Sequence, residues 1–550
     1  MRARASARPR HLAIENTVMW VVAFGFYIAV AAYFVFHLHY MINDAVTRVD
    51  NAFDVLYSRD PHLAAIGFFW PPLPSFLELP ILAFKGLWPP LAAQGFAGSI
   101  EAAAFSAGTV VLFNSGLKWA GVVRGMRWIL CFVWMVNPMI VIFATQGMSE
   151  APFMFFFVAS ILVFIRWCES RRTSLLPLAG VLAGGAALCR DEALLVAFLM
   201  GIGVIVQSVR NGARWRQIET EALLYGLPAL FVIGLWLGTA AVIFHDPLYL
   251  LHANGIGAHA AAGGGGGATA AARASAYGLV QIDSWKNAAT VVINHVMLIY
   301  PAAALLLALV GARLLVKQRR VSGIMLLIFG VAIPALDVYL LRGGLSLVLR
   351  YQISVIPFTF LAVVYVLRSV KGKRAIVSSW LALTLAVLLA ISNIMTAQTL
   401  GNPQIAEEES PVLAALSTGQ PVVPGGDYSA FNSGPQIVAQ LLKLDIDNGV
   451  ILCDSSTCFA LNIAAPDPKL FAVTSDRNFE AAASQPHVYG VEYFLVPAPS
   501  GAGAVDHLNQ LYPGLWQDGA GFAILVGEGP GGGPLQNWRL YRITGPTGRG

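Results

Sequence analysis

Charge is what this chain has least of. Only 12% of its 550 residues are Asp, Glu, Lys or Arg, while 57% are hydrophobic and the mean hydropathy is +0.66. A soluble globular domain carries roughly 25% charged residues, so that class is excluded and a polytopic membrane protein remains. The apolar runs lack the period of two that a membrane barrel needs, which leaves helical spans. No small-residue cleavage site follows the basic start MRARASARPRH, so the first apolar run reads as a retained helix and not a signal peptide. Cysteine is scarce, at five residues. Cys131, Cys168 and Cys189 lie in or beside apolar runs as packing residues. Cys453 and Cys458 have no second Cys or His pair at ligand spacing, which argues against zinc; outside the cytoplasm they can form a small-loop disulfide. P-loop, HExxH and GxSxG motifs are missing from any credible context. So is the isolated basic, aromatic stripe of a nucleic-acid binder.

What is present is a series of apolar runs close to the roughly 20 residues that cross about 30 Å of hydrocarbon. Eleven helices are predicted, at 14–37, 98–117, 127–145, 151–167, 175–189, 191–208, 222–243, 288–312, 322–341, 352–368 and 375–397. With the N-terminus cytoplasmic, the inside segments hold 21 of the 29 Lys and Arg residues before position 401, as the positive-inside rule requires. The odd number of spans then puts the tail on the outer face. It shares that face with loops 38–97, 146–150, 244–287 and 342–351. The tract HAAAGGGGGATAAARA in the 244–287 loop is expected to be mobile until something binds, or else a plain linker.

Two regions are expected: a transmembrane domain over 1–400 and an extracytoplasmic α/β domain over 401–550. From residue 401 onward there are 14 acidic and 6 basic residues, so a net +5 overall becomes −8 in the tail and +13 before it. In the tail PQIVAQLLKL reads as a helix, NGVILCD, VEYFLVP and FAILVGEG as strands, and NWRLYRIT as an alternating edge strand. VDHLNQLYPGLW suggests a helix ended by Pro513.

The scarce charge gathers in the first outer loop. Asp44, Arg48, Asp50, Asp54, Arg59, Asp60 and His62 crowd into about twenty residues beside nearly uncharged runs. If this segment is helical, Asp44 and Arg48 are i,i+4 neighbours, as are Asp50 and Asp54. A solvated loop with a local salt bridge is the plainer alternative. The run HLAAIGFFWPPLPSFLELP suggests a rigid amphipathic piece at the interface, which would hold the loop against the bilayer. Glu150, in GMSEAPF, stands at a helix start where Ser149 can cap, so it is either part of a cap or a substrate-binding group. Arg190, with Asp191 and Glu192, and Arg350, with Tyr351, each end a long apolar run on the same face as Asp44. An Arg fork suits a lipid phosphate, with snorkelling anchors or internal ion pairs as the rival reading. His245-Asp246-Pro247-Leu248-Tyr249 suits a helix end and a turn.

Taken in order, NDAVTRVDNAF with GFFWPPLPS, GMSE, CRDEALL, HDPLY and LRYQ resemble the GT-C superfamily over about residues 14–397. These are multi-spanning glycosyltransferases that use polyprenyl-phosphate sugars. Many members carry a paired acid in the first loop, where this chain has Asn43-Asp44 with Asp50 further on. The resemblance implies a GT-C-like helical membrane domain and inverting transfer outside the cytoplasm, and the high Ala, Gly and Arg content fits a bacterial cell envelope. Asp44, or else Asp50, would be the catalytic base, and Arg350 with Arg190 would hold the leaving lipid phosphate. Arg48, His62, Glu150, Asp191, Glu192 and Tyr351 complete the candidate substrate-binding set. The implied partners are the lipid-linked donor, a glycan, lipid or protein acceptor, and membrane lipids. The loop's carboxylates are compatible with a divalent metal, although no ligand spacing demands one. The alternative is a transporter or flippase of a lipid-linked sugar, against which stand the one-sided charges and the lack of an inverted repeat.

Overall fold

The computed structural model describes residues 7–68, 70–249, 279–280, 282–316, 321–343, 345–346, 348–370, 375–420, 434–444, 446, 449–530, 535 and 537–547. The glycine-alanine tract, and parts of the basic segments at 2–10, 313–320 and 368–374, lie outside the described residues.

The chain is a multi-pass membrane protein, and all eleven expected runs fold as helix. Eight are long and apolar enough to span singly, and two more are bent pairs. Arg124–Met135 and Pro138–Thr145 meet at 67°, because Pro138 starts a new helix that Asn137 caps by accepting from the Ile140 amide at 3.1 Å. Trp285–Ile299 turns by 99° into the next helix before Pro301, which disfavours helical geometry at Tyr300. The fifth run, Leu175–Ala187, has 13 residues, short for a span by itself, yet it carries the chain back from the far end of Glu150–Ser170 to the end where Arg190 pairs with Glu150. It packs through Gly180 and Gly184 against Tyr225, Ala229 and Val232 of the long helix Trp215–Phe244, so closely that no Cβ would fit.

The first span leaves its α-helix through a π-helical segment, Tyr33–His37. Ile42 then donates to Gln146 Oε1 at 3.1 Å, and the helix Asn43–Tyr57 begins. Ala45, Val46, Val49, Ala52 and Phe53 recur at helical spacing on its buried face. The proline-rich piece that follows is a 3-10 turn, Leu63–Ile66, and a helix, Leu73–Leu82. The Leu73 amide donates to Leu188 O at 3.0 Å, and Phe68 stacks on Trp236 with centroids 4.0 Å apart. The first loop is therefore fastened to the bundle at both ends.

Two short strands, β1 (Leu279–Val280) and β2 (Leu345–Ser346), pair antiparallel across three intervening helices. The tail carries β3 (Val450–Cys453), β4 (Phe471–Val473), β5 (Val491–Pro497), β6 (Ala523–Pro530) and β7 (Asn537–Ile543) in the order β4-β3-β5-β7-β6. The sheet is mixed: β3 runs parallel to β4 and β5, while β7 is antiparallel to β5 and β6. Ile451, Tyr493 and Leu540 face one buried side and Leu452, Phe494 and Tyr541 the other, so the sheet is covered on both faces. NWRLYRIT was expected at an edge, yet β7 is interior and β6 takes the edge. Its alternation misleads because Arg539 reaches out to Glu528 at 2.9 Å and to Trp516 O, leaving the backbone free to pair on both sides. The expected helix before Pro513 is one short element, His507–Leu511. Cys453 and Cys458 are disulfide-bonded across the loop from β3 into the helix Ser455–Ala464.

That helix docks on the first-loop helix. Asn462 Nδ2 donates to both Asp50 Oδ1 and Asp54 Oδ1, each at 2.7 Å, and Ser475 Oγ donates to Asp54 Oδ2 at 2.6 Å. Arg477 grips Asp60 at 2.9 and 3.0 Å. The two carboxylates on Asn43–Tyr57 thus bind the tail.

Candidate active site

Five segments remote in sequence converge at one end of the helical bundle. They are the start of Asn43–Tyr57, the start of Glu150–Ser170, the turn at 190–192, the 3-10 turn Leu349–Gln352, and the stretch around 408 that leads into the tail. Arg350 is the meeting point. It is 8% exposed, and its Nη2 donates to Asp44 Oδ2 at 2.6 Å, a residue 306 positions away. Glu408 Oε2 lies 3.2 Å from Arg350 Nε but off the N–H direction, so that contact is an ion pair without a hydrogen bond. Arg350 Nη1 is buried with no hydrogen-bond partner. A fork with one arm on a carboxylate and one buried donor unused is suited to an anion.

Arg190 forms a second guanidinium station. Its Nη1 pairs with Glu150 Oε1, and its Nη2 and Nε contact Glu192 Oε1 at 2.6 and 3.1 Å. Burial opposes the charge on Arg190, but Glu192 and Glu150 outweigh it and raise its pKa. The Tyr351 ring faces both guanidinia, with Arg190 5.7 Å and Arg350 5.8 Å from its centroid. Glu150 is delivered by Gly147, whose φ of +75° and close approach to Gly98 exclude a side chain. Ser149, one of the two alternatives for that helix start, makes no capping bond and lies 3.5 Å from Glu150 Oε2.

Arg48 is buried one turn along from Asp44, over the Trp70 ring at 4.9 Å, with Nη1 3.4 Å from Pro71 O. Burial pulls its pKa down, against the carboxylates of Glu150, Asp44 and Glu78. Asp191 is half-buried with Oδ1 lacking a partner, and its pKa is pushed up to about 7 by burial and then by Glu192. The structure therefore brings together Asp44, Arg48, Glu150, Arg190, Asp191, Glu192, Arg350 and Tyr351. It leaves Asp50 and His62 elsewhere. Asp50 sits on Asn462 at the tail contact, and His62 Nδ1 is 2.6 Å from Asp60 O in the segment that holds Arg477.

Sequence reasoning missed Glu408 and Glu409, which were counted with the acidic tail. Burial and then Asp44 and Glu150 raise Glu408 to about 7, despite Arg350 pulling the other way. Burial and then Glu408 raise Glu409 to about 8. Glu78 and Glu101, both buried with all four oxygens unpartnered, were missed too. The one available signal was acid inside apolar stretches, as in SFLELP and SIEAAA. Asp337, which accepts from Gln352 Nε2 at 2.5 Å, is of the same kind. Among the described residues no three His, Cys, Asp or Glu groups are arranged to hold a metal ion, and no step below is routed through one.

The helical membrane domain followed by a mixed five-stranded sheet is a GT-C-like fold. The chain is similar to the crystal structure of ArnT from Cupriavidus metallidurans bound to undecaprenyl phosphate, over 98% of this chain and 100% of that one, at 12% identity and a TM-score of 0.51. It also matches the apo oligosaccharyltransferase of Archaeoglobus fulgidus, over 88% of this chain and 69% of that one, at 12% identity and a TM-score of 0.47. The same archaeon's AglB, in complex with an inhibitory peptide and a dolichol-phosphate, matches over 87% and 69% at 10% identity and a TM-score of 0.46. At these identities the likeness concerns the fold. No curated protein sequence matches the chain. The family model for DUF2079, described as a predicted membrane protein, matches residues 76–426, and the chain belongs to that family.

Proposed function

We propose that this protein is an inverting glycosyltransferase that moves a sugar from a polyprenyl-phosphate donor to a hydroxyl of a cell-envelope acceptor on the extracytoplasmic face of the bacterial inner membrane. The observation that carries the reading is the contact of Asp44 with Arg350 at 2.6 Å, with a buried guanidinium nitrogen left over. Asp44 takes the proton of the acceptor hydroxyl as its oxygen attacks the anomeric carbon. The bond from that carbon to the phosphate oxygen breaks, and the lipid phosphate departs with the electron pair. An anionic leaving group needs positive charge and no proton, which Arg350 and Arg190 supply as charge develops. Arg48, Glu150, Asp191, Glu192 and Tyr351 line the same end of the bundle. The 21 of 29 basic residues assigned to inside segments support this side of the membrane. The tail over 401–550 is then an extracytoplasmic domain that clamps the first-loop helix through Asn462 and Ser475.

The test is reconstitution in liposomes with polyprenyl-phosphate sugars and envelope extract as acceptor, with new glycosidic products read by mass spectrometry. Product that depends on the protein and disappears in Asp44→Asn supports the reading. Passage of the lipid-linked sugar across the bilayer with no bond formed identifies a flippase instead.

A further inference from the structure

Arg350 lies in more negative charge than a phosphate site ought to tolerate. Asp44 from the first-loop helix and Glu408 from the segment that enters the tail both lie against its guanidinium, at 2.6 and 3.2 Å. Glu409, fully buried, is the next residue. Facing Glu408 are Arg350 and Arg190 as cations and Asp44, Glu150 and Glu409 as anions, with Arg190 already engaged by Glu150 and Glu192. The Tyr351 ring lies beside Arg350, and the Tyr40 hydroxyl donates to Glu408 O at 3.2 Å. Five acids, Asp44, Glu150, Glu192, Glu408 and Glu409, stand around the two guanidinia and oppose an incoming phosphate; Arg350 Nη1 is unused, but a two-point grip also needs Nη2 or the Nε edge, where Asp44 and Glu408 stand.

Resting on the function proposed above, we infer that Glu408 is a positioning residue that holds Arg350 until the lipid phosphate displaces it, and that donor binding is coupled to uptake of one proton by the Glu408–Glu409 pair. The proton comes from solvent and neutralises the carboxylate that loses its guanidinium partner, so the cluster's net charge rises by one as the anion enters. Glu408 and Glu409 stand near 7 and 8 through burial and their acidic neighbours, which puts the exchange within the physiological range.

The probe is the methyl diester of undecaprenyl phosphate, whose single charge does not titrate near neutrality, so any pH dependence belongs to the protein. For the purified full chain in nanodiscs, affinity should be level below about pH 6 and fall by about tenfold per unit above pH 8, the slope of one linked proton. Glu408→Gln should flatten that slope and bind more tightly than the natural protein at pH 8.5. Glu407→Gln, an exposed neighbour with the same charge change, should keep it. Calorimetry of the unaltered protein at about pH 8.5 in two buffers of different ionisation enthalpy counts the proton with no variant at all, and uptake of about one is expected there. Binding with a flat pH profile and no proton uptake overturns this inference alone. Weaker binding by Glu408→Gln with an unchanged slope also overturns it, since Glu408 then supports Arg350 without yielding to the phosphate. Failure of the probe to bind at any pH overturns the proposed function and this inference with it.

Discussion

The carboxylate pair at the tail contact makes a prediction with a sign that ordinary salt-bridge reasoning would reverse. Asp50 and Asp54 are almost completely buried four residues apart, and one amide, Asn462, serves both. Burial raises Asp54 to about 7 against the hydrogen bonds from Ser475 and Asn462, and burial with Asp54 raises Asp50. An acid held above its free value stabilises the docked state fully below that value, near 3.8, and loses the contribution as pH rises through about 7. The tail should therefore dock more firmly at pH 5.5 than at pH 8. Replacing Asp54 with Asn removes the charge. The rise from 3.8 to about 7 is worth at most about 4 kcal/mol at 1.36 kcal/mol per unit. Imperfect replacement of two hydrogen bonds takes back about 1–2 kcal/mol. Asp54→Asn should thus stabilise docking by about 2 kcal/mol at pH 8 and leave it unchanged or weaker at pH 5.5. Thermal denaturation in detergent at the two pH values, with hydrogen exchange of the helix Ser455–Ala464 as a second reading, measures it. A Tm that falls equally at both pH values would refute the reasoning, because it would mean that the carboxylate is held ionised.

Arg350→Lys keeps the charge but replaces a planar fork with a point charge that cannot serve Asp44 and Glu408 together; transfer should drop at least about a hundredfold while Tm moves little. Gly147→Ala forces a side chain into a φ of +75° and to within 2.9 Å of the Gly98 backbone. It should destabilise the protein by about 2–4 kcal/mol in thermal unfolding and misplace Glu150. The Cys453–Cys458 disulfide closes only a short loop, so Cys453→Ser with Cys458→Ser should cost the tail about 2 kcal/mol, read as a lowered denaturation temperature.

The spans were legible because hydrocarbon imposes length and composition on every crossing helix, and the basic clusters between them are equally plain. The shortness of the fifth run was less plain, since in sequence its apolar signal nearly merges with Glu192–Arg210, and its close packing through Gly180 and Gly184 on Trp215–Phe244 is visible only in the fold. At the site, Asp44 and Arg350 were readable as charges at the ends of apolar runs. Asp50 looks the same in sequence as Asp44, but six residues turn it about 120° round the helix, away from Asp44 and toward Asn462. Glu408 was hidden for a different reason: three adjacent acids after the last span look like a solvated tail, and the bend that buries Glu409 is set by distant packing. In β7 the two Arg residues gave an interior strand the pattern of an edge.

The most direct measurement compares undecaprenyl phosphate binding and single-turnover transfer in Asp44→Asn and Asp50→Asn proteoliposomes. Asp44→Asn should bind the lipid and form no glycosidic product, while Asp50→Asn should retain transfer. Undiminished product from Asp44→Asn would contradict the assignment of the base and the account built on it.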